Sequence, residues 1–185
     1  MLYLMISKIF FLLLAVVFVV VDQLSKWAVS EHIVRRALGD GFGEVLSLTE
    51  WIMAAPERLP YVGIEILPFF NIVMVWNHGI SFGMFNHETD YGQIVLIVLS
   101  AVIVLWFVGW LFYTDNKMYQ FGSSLVIGGA IGNVFDRIRF GAVMDFLDFH
   151  IWGYHWPAFN FADSAIVIGV ILLILCGMFF EKSFS

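Results

Sequence analysis

From Ile94 to Tyr113 the sequence runs through twenty residues without one charged side chain. That is the length an α-helix needs to cross the hydrocarbon of a bilayer. With 61% of the 185 residues hydrophobic and only 13% charged, against about 25% charged in a soluble domain, water cannot be the solvent for most of this surface. Lipid can, provided that every spanning segment satisfies its own backbone polar groups, as a helix does. The formal charge of −6 supplies no basic patch to neutralise phosphates, so nucleic acid is excluded as a partner.

Three further apolar runs accompany the first. The pattern predicts membrane helices at about 9–29, 94–113, 118–137 and 162–181, forming one membrane domain over 1–185. A cleaved signal peptide is the competing reading of the first run, but no small-x-small site follows its apolar core. The third run differs in texture: Gly122, Ser123, Ser124, Gly128, Gly129, Ala130 and Gly132 crowd into it, and Gly128 and Gly132 have the spacing that lets helices approach closely. Segments 30–91 and 138–160 are too polar to span. Within the first of these, Ile64 to Trp76 is rich in β-branched and aromatic residues, which predicts a strand or hairpin lying on the membrane surface. Lys and Arg counted over the short loops put both termini in the cytoplasm.

Ionisable groups in or beside a membrane helix are costly and point to function. Five aspartates, Asp22, Asp136, Asp145, Asp148 and Asp163, fall towards one membrane face if the helices end as predicted. Gly129, Asn133 and Arg137 recur every four residues with Asp136 beside them, and Asn160 and Asp163 lie about one turn apart. Structural readings compete. Asp22 and Lys26 have the spacing of an ion pair, and Asp136 beside Arg137 has the look of a charge-compensated helix end.

No zinc-protease, nucleophile-elbow, P-loop or dinucleotide motif is present. Asp148, His150 and His155 match no metal spacing and read as solvated loop residues, and His78 and His87 offer little more. Cys176, the only cysteine, reads as an inert packing residue. What remains is a pair of carboxylates: one ionised, to take a proton from water, and one protonated, to bind the developing oxyanion. Spacing alone leaves Asp136 and Asp145 equally eligible.

Five ordered motifs bear on that choice: Asp22-Gln23-Leu24-Ser25-Lys26, Asn77-His78-Gly79-Ile80-Ser81-Phe82, Gly128 through Arg137, Gly141-Ala142-Val143-Met144-Asp145-Phe146 and Phe159-Asn160-Phe161-Ala162-Asp163-Ser164. Together they resemble the lipoprotein signal peptidase (signal peptidase II) family. The resemblance implies an all-α membrane protein of the bacterial inner membrane, with four transmembrane helices, a small extracytoplasmic β-cradle and cytoplasmic termini. It implies an aspartyl endopeptidase that cuts prolipoproteins before the diacylglyceryl-modified cysteine, near the extracytoplasmic face, with no cofactor and no metal. Asp145 and Asp163 fall in the motifs of the catalytic pair. Asp22, Lys26, Asn77, Gly79, Asn133, Asp136, Arg137 and Asn160 become supporting or substrate-binding residues. The implied partners are the lipidated precursors and membrane lipid, and the enzyme is expected to be a monomer. Ser81 stands where the family often has Ala, and the stretch from Glu31 to Ile66 is longer than expected. A transporter or proton channel would also bury carboxylates but should show inverted repeats, and none is visible. A metal-dependent lipid-modifying enzyme would be sensitive to chelators.

Overall fold

A computed structural model describes residues 2–54, 56–79 and 91–180; Ser81 and His87 lie outside the described residues. The chain divides into two compact units. One comprises Met1–Val21, Ile97–Val134 and Phe161–Ser185, the other Asp22–Leu96 and Phe135–Asn160.

Helix α1 (Leu2–Trp27) passes without a break into a π-helical turn, Ala28–Val34, and then α2 (Arg35–Leu38). The helix therefore runs well past the predicted end at residue 29. The sequence explains why: no Gly or Pro occurs before Gly39. There the backbone turns to φ 83°, with the Gly39 N–H closing on Arg35 O at 3.2 Å, as helix-ending glycines do. Helix α3 (Leu48–Ala54) is short. Helix α4 (Tyr91–Tyr113) matches the charge-free run, α5 covers Lys117–Phe140 and α6 Phe161–Phe180. Asn116 caps α5, its Oδ1 accepting the Met118 N–H at 2.9 Å.

Three helical stretches among the described residues are long and apolar enough to cross a membrane: Tyr3–Leu38, Tyr91–Tyr113 and Phe161–Met178. Helix α5 is as long, but it carries Gln120, Ser123 and Ser124 on a face that is buried, so its sequence is not uniformly apolar.

In the first unit, α5 is pressed close to its neighbours at its glycines. A Cβ on Gly128 would lie 2.7 Å from Ala15 O of α1, and one on Gly129 only 2.4 Å from Ala162 O of α6. Phe11, Ala15, Leu111 and Ile127 form an apolar core, while Val98, Val102 and Leu105 of α4 are exposed, the side chains a lipid-facing surface requires.

The second unit is built on an antiparallel sheet in the order β1-β2-β3-β4. Strands β1 (Gly63–Leu67) and β2 (Phe70–Asn77) fulfil the expected hairpin. Segment 138–160 is more than a polar connection: it supplies β3 (Val143–Ile151) and β4 (Tyr154–His155). Strand β3 pairs with β2 from Phe70↔Phe149 to Asn77↔Val143. The all-α description thus understates the β content. Val29 and Val34 from the helical extension pack with Leu59, Ile72, Met74, Met144 and Phe146 beneath the sheet, which gives the π-turn its apolar anchorage.

Candidate active site

The second unit holds a cluster of charges that is wholly buried. Lys26 Nζ lies 2.8 Å from Asp22 Oδ2 and 2.7 Å from Asp136 Oδ2, all three side chains being 0% exposed. Gln23 Nε2 donates to both carboxylates, at 3.0 and 2.9 Å. Buried charges persist only when paired and hydrogen-bonded, and here one ammonium and one amide serve two aspartates. The Asp22–Lys26 ion pair holds as expected. Asp136 is not a helix-end charge compensated by Arg137, because its ionic partner is Lys26. The same Oδ2 of Asp136 accepts the N–H of Met144 at 3.1 Å, one residue before Asp145.

Asp145 is itself buried, on β3 opposite Val75. Two asparagine amides hold it: Asn77 Nδ2 donates to Oδ2 at 2.9 Å and Asn160 Nδ2 to Oδ1 at 2.8 Å. Asn160 also donates to Met144 O at 3.3 Å. Asn77 is oriented in turn by the Gly79 N–H, which donates to its Oδ1 at 2.7 Å. Gly79 has φ 88°, and a Cβ there would sit 2.4 Å from Leu96 Cδ1 and 3.6 Å from Arg137 Nη2. The position demands glycine on both backbone and steric grounds. Asn77, Gly79 and Asn160 are therefore gathered around Asp145.

Asp163 lies in the first turn of α6, in the first unit, and is partly buried. Asn133 Nδ2 of α5 donates to its Oδ1 at 2.7 Å. Asn133 stands one turn beyond Gly129, whose missing side chain lets the α6 backbone approach at Ala162, the residue before Asp163. The close approach and the hydrogen bond thus belong to one stretch of contact between α5 and α6.

Three features escaped the sequence reading. Glu31, buried on the π-turn, receives Arg35 Nε at 2.6 Å and the Leu46 N–H at 2.9 Å, tying the loop after α2 to the helical extension. Its signal was the i,i+4 spacing to Arg35. Arg139 stacks on Trp51 with its guanidinium carbon 4.2 Å from the ring centroid and donates to Trp51 O, so α3 is fastened to the end of α5. Asp148 is no solvated loop residue. It is buried on β3, with Asn71 Nδ2 at 2.9 Å and His155 Nδ1 at 2.9 Å from each oxygen. Burial raises its carboxyl, but the hydrogen bonds from His155 and Asn71 outweigh that and hold it below the ordinary carboxylate range. Among the described residues no group of three or more His, Cys, Asp or Glu side chains is placed to hold a metal ion.

An antiparallel sheet joined to helices that suit a bilayer defines a membrane-embedded protein, and solved structures of the same build are enzymes. Two, each described as a bacterial membrane enzyme determined by the in meso method, match it. The first gives a TM-score of 0.65 at 27% identity, covering 94% of this chain and 89% of the other. The second gives 0.64 at 29% identity, covering 90% of both. The sequence matches the peptidase family described as signal peptidase (SPase) II over residues 14–179. Similar proteins named lipoprotein signal peptidase occur in Francisella tularensis subsp. novicida, 42% identical over 64% of this chain and 76% of that protein, and in Rhodopseudomonas palustris, 41% identical over 67% and 78%. Another, from Anaplasma phagocytophilum, is 45% identical over 60% and 70%. The chain belongs to the signal peptidase II family.

Proposed function

We propose that this protein is an aspartyl endopeptidase that removes the signal peptide of prolipoproteins, cutting before the diacylglyceryl-modified cysteine, with Asp145 and Asp163 as the working carboxylates. The observation that carries the choice of residues is that Asp22 and Asp136 are committed to one buried ammonium. Asp22 and Asp136 are bound to the Lys26 ammonium, whereas Asp145 and Asp163 receive asparagine amides. An amide N–H orients a carboxyl oxygen in either protonation state. In the reaction, the ionised aspartate takes a proton from water as the oxygen attacks the scissile carbonyl. The protonated one donates a hydrogen bond to the oxyanion and then a proton to the departing amine.

Helix α5 serves as a fourth span in this reading: its 24 residues reach about 36 Å at 1.5 Å per residue, and its small and polar side chains face other helices rather than lipid. Both termini are then cytoplasmic, and the sheet and the site lie at the extracytoplasmic face. The diacylglyceryl chains prefer hydrocarbon by about 0.8 kcal/mol per buried CH₂, so the substrate enters sideways from the bilayer, and a monomer suffices. Arg137, whose Nη2 would lie 3.6 Å from a Cβ at Gly79, contacts substrate backbone in this reading, the role the family resemblance implies for it.

The test is incubation of purified protein with a lipidated precursor peptide, the product mass locating the cut. Asp145→Asn and Asp163→Asn should each abolish cleavage while the protein stays folded. Substantial turnover by either variant refutes the assignment.

A further inference from the structure

Behind the strands that carry Asn77 and Asp145 runs a segment that the site described above does not use. Residues 56–62 lie between α3 and β1, within the stretch from Glu31 to Ile66 that is longer than the resemblance implies. Leu59 is buried in the core beneath the sheet, and its carbonyl accepts the Trp76 indole N–H at 2.9 Å. The Val62 carbonyl accepts the Met74 N–H at 3.0 Å. Arg58, next to Leu59, is thereby held alongside the end of β2. Its side chain is exposed, yet it has no carboxylate partner among the described residues. Instead Nη1 lies 3.3 Å from His78 Nε2, and the guanidinium carbon is 6.0 Å from the centre of the Trp76 ring. Nη2 rests against the other strand's entry. It would be 3.0 Å from a Cβ on Gly141, a residue with φ 65°, so glycine there makes room for the guanidinium as well as for the turn.

We propose that Arg58 is a positioning residue for the peptide hydrolysis, its forked guanidinium clasping β2 and β3 where they part, a role that rests on the reading of Asp145 as a working carboxylate. The last rung of the β2–β3 ladder is Asn77↔Val143. His78 and Gly141 lie just past it, where no backbone pairing of that ladder holds the two chains together. The bond from Asn77 Nδ2 to Asp145 Oδ2 at 2.9 Å is made at this same end. A guanidinium can bridge the gap because its donors are spread in a rigid plane. Arginine only donates, so His78 Nε2 accepts and carries no proton. Met144 and Phe146 lie in the core, and alternation along β3 therefore turns Asp145 to the opposite face. Arg58 stands on the core side with Trp76 and reaches the reaction only through the strands. Its loss should therefore appear in kcat, not in KM.

The test is steady-state cleavage of a lipidated precursor peptide by the full chain. Arg58→Ala should lower kcat about tenfold, a fraction of what a displacement of about 1 Å costs a reacting group, and leave KM within about twofold. Its thermal midpoint should stay near the parent's, since the side chain is exposed. Arg58→Lys keeps the charge but offers one nitrogen, and should recover little of the rate. In an Asn77→Ala background, Arg58→Ala should cost nothing further, because its route to Asp145 is already cut. Glu57→Ala, at the exposed neighbour, should keep the parent kcat. A parent kcat in Arg58→Ala, or full additivity with Asn77→Ala, overturns the proposal. So does a raised KM at unchanged kcat, which makes Arg58 a substrate contact, or full recovery by lysine, which leaves only its charge. Asp145→Asn is measured beside them: turnover by that variant overturns the choice of carboxylates instead, whatever Arg58 does.

Discussion

Gly129→Ala adds one methyl group where α5 and α6 are closest. Its Cβ would stand 2.4 Å from Ala162 O and 2.8 Å from Ile166 Cγ1, against an ordinary contact of about 3.4 Å. The nearest obstacle is backbone and cannot rotate away, so α6 must move by about 1 Å. Ala162 adjoins Asp163, so a shift of that size would open the Asn133–Asp163 hydrogen bond from 2.7 Å to about 3.7 Å, outside bonding range. Overpacking of this kind costs about 1–3 kcal/mol. A 1 Å misplacement of a reacting group costs on the order of a hundredfold in rate. Steady-state cleavage of a lipidated precursor should therefore show kcat down by about that factor, beside a lowered thermal midpoint. Gly109→Ala, with nothing within 4 Å of its added Cβ, should keep the parent rate. Wild-type kcat and midpoint in Gly129→Ala would refute the claim that this approach positions Asp163.

Lys26→Met leaves Asp22 and Asp136 buried without their ammonium and should destabilise the fold by about 3–5 kcal/mol, read as a fall in the thermal midpoint. A midpoint within a degree or so of the parent's would show that the cluster contributes little. The Asp148 carboxyl lies below its ordinary range in the folded state. Its contribution is therefore complete above the unfolded value of about 3.9 and is lost as pH falls through the folded value. Asp148→Asn should remove that part of the acid-unfolding curve, and an unaltered acid limb would contradict it. Cys176→Ala and chelator treatment should each leave the cleavage rate within about twofold of the parent, and a requirement for thiol or metal would place the enzyme in another class.

Segments whose structure depends on local pattern were legible in the sequence. The charge-free run became α4, and the β-branched stretch became β1 and β2. The helical extension was not legible because Asp22, Lys26, Ser30, Glu31 and Arg35 look like the polar end of a span. Two of them are instead satisfied in part by partners farther along the chain, Asp136 for Lys26 and the Leu46 amide for Glu31, and nothing local announces such a partner. Strand β3 was hidden for a similar reason. Val143 pairs with Asn77 across a long excursion of chain, and Asp145 and Asp148 interrupt any apolar alternation. Asp148 read as solvated because its two stabilising neighbours, Asn71 and His155, lie on different strands.

Asp136 and Asp145 show most clearly what spacing could not decide. Both follow the small-residue stretch of α5 and both are buried. To serve as a base, Asp136 would have to accept a proton while Lys26 Nζ stands 2.7 Å away, forfeiting a buried ion pair whose disruption costs about 3–5 kcal/mol. It would also loosen its hold on the Met144 N–H. Asp145 meets no such conflict with Asn77 and Asn160, because an amide N–H can donate to a carboxyl oxygen in either protonation state. The role left to Asp136 is positional. Lys26 fixes Asp136, Asp136 fixes the Met144 amide, and that amide sets the start of the strand that presents Asp145. A buried cation can thus govern where the carboxylate proposed to react stands without touching it, which is why the loss of Lys26 should lower activity as well as stability.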